Sequence, residues 1–349
     1  MVSLDVVHAS NARLRELGPG LVALFVGGTS GIGEYTLKAF VKHSVSPRVY
    51  LVGRNASSAE RIIEECRGLN KDGKIEFIKA DVSELAEVDR ACKEIAAKEK
   101  SINLILQTQG NLNLRGRDES PEGLARKFTL NFYSRMRFTS NLLPLLRAAT
   151  TSPPGFARSV SVLGAGHEGS INLDDLELKT TFSTTTCADQ SITMNDFMAE
   201  QFAAREPSVS FMQTSPGVVN TGLARELPFW ARVAMKGLTP VVKLFATGAD
   251  ETGERQLFHA TSGMYPPAKP LAGSAVASGV PLPTGMAIGT GSDGKVGSGG
   301  YIVSPVGDIT GNAKLLSDYR AKGVSQIVWD HAYSIFERVQ KLNESRNAS

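Results

Sequence analysis

Cysteine is scarce in this chain: Cys66, Cys92 and Cys187 are an odd number, and no two have CxxC spacing. That argues against a disulfide framework and against a zinc site, and it fits a reducing compartment, so a cytoplasmic protein is expected. Excess charge of one sign is lacking too. The formal charge of +3 comes from scattered Lys and Arg with no basic block, which leaves nucleic-acid binding without an electrostatic footprint. Long apolar runs are also absent. MVSLDVVHASNARLREL has no unbroken hydrophobic region of the signal-peptide kind and reads as a short helix closed by Gly18-Pro19-Gly20. The most apolar later stretch, Leu227 to Ala246, carries Arg232, Lys236 and Lys243. It is too charged to span a bilayer, and only contact with a membrane surface is left open.

What is present is an ordinary globular composition, 42% hydrophobic and 21% charged over 349 residues, enough for a sizeable core. The organising stretch is Leu21 to Gly33, LVALFVGGTSGIG, continuing as EYTLKAFVKH. Six apolar residues read as a buried strand, and the spacing of Ile32, Tyr35, Leu37, Phe40 and Val41 reads as a helix with one core face. Gly27, Gly31 and Gly33 between them supply a tight turn, room for a diphosphate against the backbone, and close helix–strand packing. The N–H groups at the helix start, from Thr29, Ser30, Gly31, Ile32 and Gly33, then face the phosphates.

Strands and helices alternate after that turn. Strands are expected at Arg48 to Val52, Lys74 to Lys79, Ile102 to Leu106, Ala157 to Leu163, Val209 to Gln213 and Gly300 to Val303. Helices are expected at Ala59 to Leu69, Leu85 to Lys98, Glu122 to Leu146, Cys187 to Ala204, Glu251 to Thr261 and Tyr319 to Asn343. This order predicts a three-layer α/β/α, Rossmann-type doubly wound fold with a mainly parallel sheet of about seven strands. The expected organisation is a helical extension over 1–20, the dinucleotide-binding domain over 21–265, an insertion over 266–299, and a last strand and helix over 300–349. The insertion, rich in Pro, Gly, Ser and Ala, reads as a mobile lid or a disordered segment. Arg54, just past the second strand, stands where an arginine accommodates a 2′-phosphate, which points to NADP(H); a solvated loop arginine is the alternative.

The string GGTSGIG resembles the fingerprint TGxxxGxG of the short-chain dehydrogenase/reductase family, with Val26 in place of the Thr, and the resemblance extends from about Leu21 to Ala260. It implies that Asp81 lies near the adenine amino group, unless Asp81 or Ser83 merely caps the next helix. Of the family's NNAG turn only Gly110 is kept. Asn131, thirteen residues before Pro144, matches the asparagine that holds a water in the family's proton relay, though a mid-helix Asn can also bond its own backbone. Tyr133 should face away from it. Pro216, Val219 and Thr221 fall in a stretch that resembles the family's PGxxxT turn, which implies contact with the nicotinamide end of the cofactor.

The catalytic residues of the family are missing. Leu163 and Gly164 occupy the places of its VSS serines. No tyrosine lies between Tyr133 and Tyr265 and no lysine between Lys179 and Lys236, so the YxxxK pair is absent in any register. The tyrosine place falls near Thr184, Thr186 or Ala188, and the lysine place near Ala188, Gln190 or Ile192. His167 is the replacement acid or base offered by the sequence, unless it is a surface histidine. Leu227, Phe229, Trp230, Val233, Ala234, Leu238 and Val241 could wall an apolar substrate pocket. The whole chain is similar to a divergent fungal branch of the family, often found beside natural-product pathways. The implied function is NADP(H)-dependent oxidoreduction of a bulky apolar small molecule. A redox-neutral isomerase, dehydratase or cyclase and a non-catalytic NADP(H)-binding protein are the alternatives, and a homo-oligomer is compatible with either.

Overall fold

The computed structural model describes residues 1–111, 116–219 and 246–347. Its centre is a seven-stranded, wholly parallel sheet of order β3-β2-β1-β4-β5-β6-β7. The strands are β1 Val22–Val26, β2 Arg48–Gly53, β3 Lys74–Lys79, β4 Leu104–Gln107, β5 Arg158–Val162, β6 Ser210–Thr214 and β7 Gly300–Val303. A parallel sheet is covered on both faces, so successive residues of one strand feed different cores. In β1, Val22, Leu24 and Val26 enter one core while Ala23 and Phe25 enter the other.

Helices complete the two outer layers. The core of Ala23 and Phe25 is closed by α1 (Leu4–Ala12), α2 (Gly31–His43), α3 (Ala56–Leu69) and α7 (Ala249–Thr261). The opposite core is closed by α4 (Leu85–Lys98), α5 (126–149), α6 (Thr184–Arg205), α8 (Ala313–Ala321) and α9 (Val324–Asn347). Helix α5 runs continuously through Arg126–Phe128, a π turn at Thr129–Tyr133, and Ser134–Ala149. Tyr133 packs away from the sheet centre, its hydroxyl 2.8 Å from His331 Nε2 on α9. Among the described residues no helix is long and apolar enough to cross a membrane.

Two expectations are corrected. The terminal helix is two helices, α8 and α9, because Gly323 takes φ +72° between them. The segment 266–299 is neither a lid nor disordered: it is irregular but tied down beneath the N-terminal ends of β5 to β7. Buried Arg158, the first residue of β5, donates to the carbonyls of His259, Tyr265 and Ser278, and Lys269 N donates to Pro207 O just ahead of β6. Low periodicity left the Arg158 anchor invisible, since it comes from a charged side chain more than a hundred residues from Ser278. The segment therefore lies at the strand ends opposite the ligand-binding edge of such sheets.

Candidate functional site

In an open parallel sheet ligands bind beyond the carboxyl ends of the strands where the order reverses, here between β1 and β4. The turn after β1 is shaped for this. Gly27 has φ +80°, and a Cβ there would lie 2.7 Å from Gln109 N, so the β1 and β4 turns touch through backbone. A Cβ on Gly33 would stand 2.5 Å from Thr108 Oγ1 and 2.9 Å from Gly27 O, so Gly33 seats α2 against both turns and does not itself line the opening. Ser30 is the N-cap of α2 but makes no side-chain capping bond, which leaves the first-turn N–H groups and the positive end of the helix dipole facing the opening.

The opening is a cleft of about 290 Å³. It gathers Gly27, Thr29, Ser30, Gly31 and Ile32 after β1, Arg54, Asn55 and Ser58 after β2, Asp81 after β3, and Thr108 to Asn111 after β4. Arg54 is exposed on the rim, and Asp81 is half-buried. Asp81 does not cap α4: it accepts from Ser83 N and Oγ, while the carboxylate of Glu122 takes Leu85 N and Ala86 N at 2.7 and 2.8 Å. That capping residue, thirty-seven positions from its partner, had no local signal. Gln109 Oε1 and Asn111 Oδ1 are buried acceptors without a protein partner at this cleft, an arrangement that suits a ligand bringing its own donors. The residues present thus fit a dinucleotide: helix N-terminus for phosphates, Arg54 and Asp81 for the adenosine half, and open acceptors for ribose or amide groups.

The other site residues lie elsewhere. His167 is exposed and lines a second cavity of about 470 Å³ with Leu163, Gly164, Ser215, Pro216 and Thr310. Val219 pairs with Thr247 in an isolated bridge, and Thr221, with the apolar wall residues from Leu227 to Val241, lies outside the described residues. Asn131 is buried, its Oδ1 3.5 Å from where a Gly110 side chain would begin. Its carbonyl, in the π turn, accepts from Asn195 Nδ2 at 2.9 Å. The carbonyl of Leu130 beside it accepts from Arg135 Nε at 3.1 Å, so protein donors meet groups that a π turn leaves open.

Arg135 is the central residue that sequence reasoning missed. It is wholly buried and also bonds Gln107 O, Gln109 O, Val162 O and Ser161 Oγ, tying the ends of β4 and β5 to α5. Ser161 Oγ in turn donates to Asn195 Oδ1 at 2.8 Å. Burial pushes the guanidinium down to about 9 from its usual range, the direction expected of a cation taken out of water. Its position four residues after Asn131, on the same helical face, was the available signal.

On α6 the residues that the resemblance sets at the family's tyrosine and lysine places serve structural ends. Thr186 forms a capping box with Ser183. Gln190 is buried, accepting from Asn172 N and donating to Leu176 O. A side chain on Gly164 would meet Ile192 Cδ1 at 2.6 Å, so Gly164 packs directly against α6. None of these side chains offers a proton at neutral pH.

A doubly wound sheet with a glycine turn opening α2 and a cleft at the β1/β4 switch point defines a dinucleotide-binding enzyme domain. The family pattern described as short chain dehydrogenase matches residues 21–155. An oxidoreductase of Emericella nidulans is 42% identical over 97% of this chain and 99% of its own length. The polyprenol dehydrogenase of Homo sapiens is 28% identical over 62% of this chain and 66% of its own. Among solved structures, an NADPH-bound carbonyl reductase from chicken fatty liver superposes with TM-score 0.55 at 14% identity, covering 84% of this chain and all of that one, a likeness of fold. The chain belongs to the short-chain dehydrogenase/reductase family of oxidoreductases.

Proposed function

We propose that this oxidoreductase uses NADP(H) and acts on a bulky apolar metabolite in fungal secondary metabolism, in the cytoplasm, with a proton donor other than the family's tyrosine. The observation that carries the reading is the cleft in which Arg54 stands on the rim beside Asn55 and Ser58, with no carboxylate at the end of β2 to repel a 2′-phosphate. Bound NADP(H) would supply a hydride at its nicotinamide ring. The chain's part is to hold the diphosphate on the α2 N-terminus, the adenosine between Arg54 and Asp81, and the nicotinamide half toward Gly110, Asn131 and the turn from Pro216. Similarity to a dehydrogenase named for polyprenol supports an apolar substrate.

Asn131 and His167 are the side chains assigned to proton handling. Asn131 approaches Gly110 at the cleft edge, and His167 faces the cavity of Pro216. A second reading, a redox-neutral isomerase, dehydratase or cyclase, is favoured by one observation, the lack of any proton-transferring side chain at the tyrosine and lysine places of α6. Titration of the protein's fluorescence tests the cofactor. NADPH should bind more tightly than NADH, and Arg54→Ala should lose about tenfold for NADPH alone, the worth of one partly exposed charge-assisted bond. Equal affinities for the two cofactors in the unaltered protein would refute the assignment.

A further inference from the structure

Helix α6 offers no proton-transferring side chain at the family's tyrosine and lysine places, yet it reaches the π turn of α5 through Asn195. Asn195 is 1% exposed, and its Nδ2 donates to Ser191 O, one turn back on its own helix, at 2.7 Å and to Asn131 O at 2.9 Å. Both acceptors are carbonyls, which cannot donate, so the nitrogen of the amide must face them and its oxygen must face away. Asn195 Oδ1 therefore accepts, and Ser161 Oγ supplies the hydrogen at 2.8 Å. Having given its single hydrogen, Ser161 Oγ accepts from Arg135 Nη1, also at 2.8 Å. The chain of bonds from Arg135 through Ser161 and Asn195 to the Asn131 carbonyl thus has one direction, and it begins on a cation. The bond to Ser191 O holds the Asn195 side chain along α6 and aims its amide at α5.

We propose that Asn195 is a positioning residue for Asn131, and that α6 contributes to the site through this bond in place of the missing pair. In the π turn Ser134 N donates to Thr129 O, five residues back, which displaces the regular pairing and leaves later carbonyls to other donors. Asn195 takes the carbonyl of Asn131. It thereby fixes the face on which the Asn131 side chain emerges, with Oδ1 3.5 Å from where a side chain on Gly110 would begin. An apolar residue in place of Asn195 would leave the Asn131 carbonyl without this donor and the Ser161 hydroxyl without this acceptor, both among buried residues. The turn would then be free to settle with Asn131 aimed elsewhere. The consequence for the cofactor rests on reading the edge of Gly110 and Asn131 as the place of the nicotinamide half; the hold on the turn does not.

Asn195→Ala tests this, with Ser161→Ala as the milder variant that removes the bond to Asn195 Oδ1 and leaves the amide in place. In the ligand-free protein, hydrogen–deuterium exchange of the peptide spanning the π turn should quicken about tenfold in N195A and less in S161A, while the peptides of α2 and α3 keep their rates. Unchanged exchange in the π turn, or exchange quickened throughout the chain, overturns the proposal: the first denies the hold, and the second makes Asn195 an ordinary core residue. In titrations of protein fluorescence, N195A should bind NADPH about tenfold more weakly yet bind adenosine 2′,5′-bisphosphate, which lacks the nicotinamide half, within about twofold of the unaltered protein. Asn131→Ala should lose a similar factor for NADPH, and the double variant no more than either alone, since Asn195 acts through Asn131. Additive losses, or an equal loss for the bisphosphate, overturn the proposal. Should N195A fail to fold, S161A must show the same pattern at smaller size or the proposal falls. If NADPH does not bind the unaltered protein, the cofactor reading fails, and the exchange rates alone then decide whether Asn195 holds the turn.

Discussion

Replacing Arg135 by Met removes the guanidinium and keeps most of the stem. Five acceptors lose their donor: the carbonyls of Leu130, Gln107, Gln109 and Val162, and Ser161 Oγ. Charge-assisted bonds contribute about 1.5–3 kcal/mol each, so the gross loss is roughly 7–15 kcal/mol. Against it stands the penalty of burying the cation, which the drop to about 9 puts near 5 kcal/mol at about 1.4 kcal/mol per pH unit. Water entering the vacated space re-satisfies some carbonyls, so the lower part of the range applies, about 2–5 kcal/mol, as for other broken buried charge networks. In a domain of this length that is a fall in Tm of about 3–7 °C. Thermal unfolding by circular dichroism measures it. Arg135→Lys should not rescue, because an ammonium cannot span acceptors on two strands and a helix. The turn from Gln107 to Gly110 would also loosen, so NADPH affinity measured well below Tm should fall. A Tm within 2 °C of the unaltered protein for R135M would refute the view that this residue holds the strand ends together.

Other outcomes follow from single contacts. Gly33→Ala puts a methyl against Thr108 Oγ1 and the backbone of Gly27 and Gly28; about 1–3 kcal/mol of overpacking and loss of NADPH binding are expected, read by melting and titration. His259 is buried and His331 half-buried, and desolvation holds them down to about 3 and about 4, so they stay neutral in the fold while the unfolded chain gains protons. Stability should therefore fall as pH drops from about 6.5 toward 4, and a flat Tm over that window would refute the burial argument. Glu254, held down to about 2 chiefly by its bonds from His43 and Asn11 against burial, adds a second loss as pH falls from about 4.5, which Glu254→Gln should abolish. Simple unactivated ketones should turn over with NADPH at rates about 10²–10⁴ below those of an enzyme with a positioned acid, and rates usual for tyrosine-bearing relatives would show the site to be misread.

Much of the fold was determined by local pattern. Apolar runs bounded by turn residues, alternating with helices, require a covered parallel sheet, and GGTSGIG requires a tight turn where helix and strand nearly touch. Gly27, Gly31, Arg54, Asp81 and Gly110 could be assigned to one cleft because each follows directly on a strand, and parallel strands deliver their ends to one edge. What only tertiary structure decided depends on partners far away in the chain. Glu122 capping α4, Arg158 anchoring the 266–299 segment and Arg135 joining β4, β5 and α5 are polar side chains whose burial becomes tolerable only when remote carbonyls or N–H groups surround them. No periodicity records such pairings.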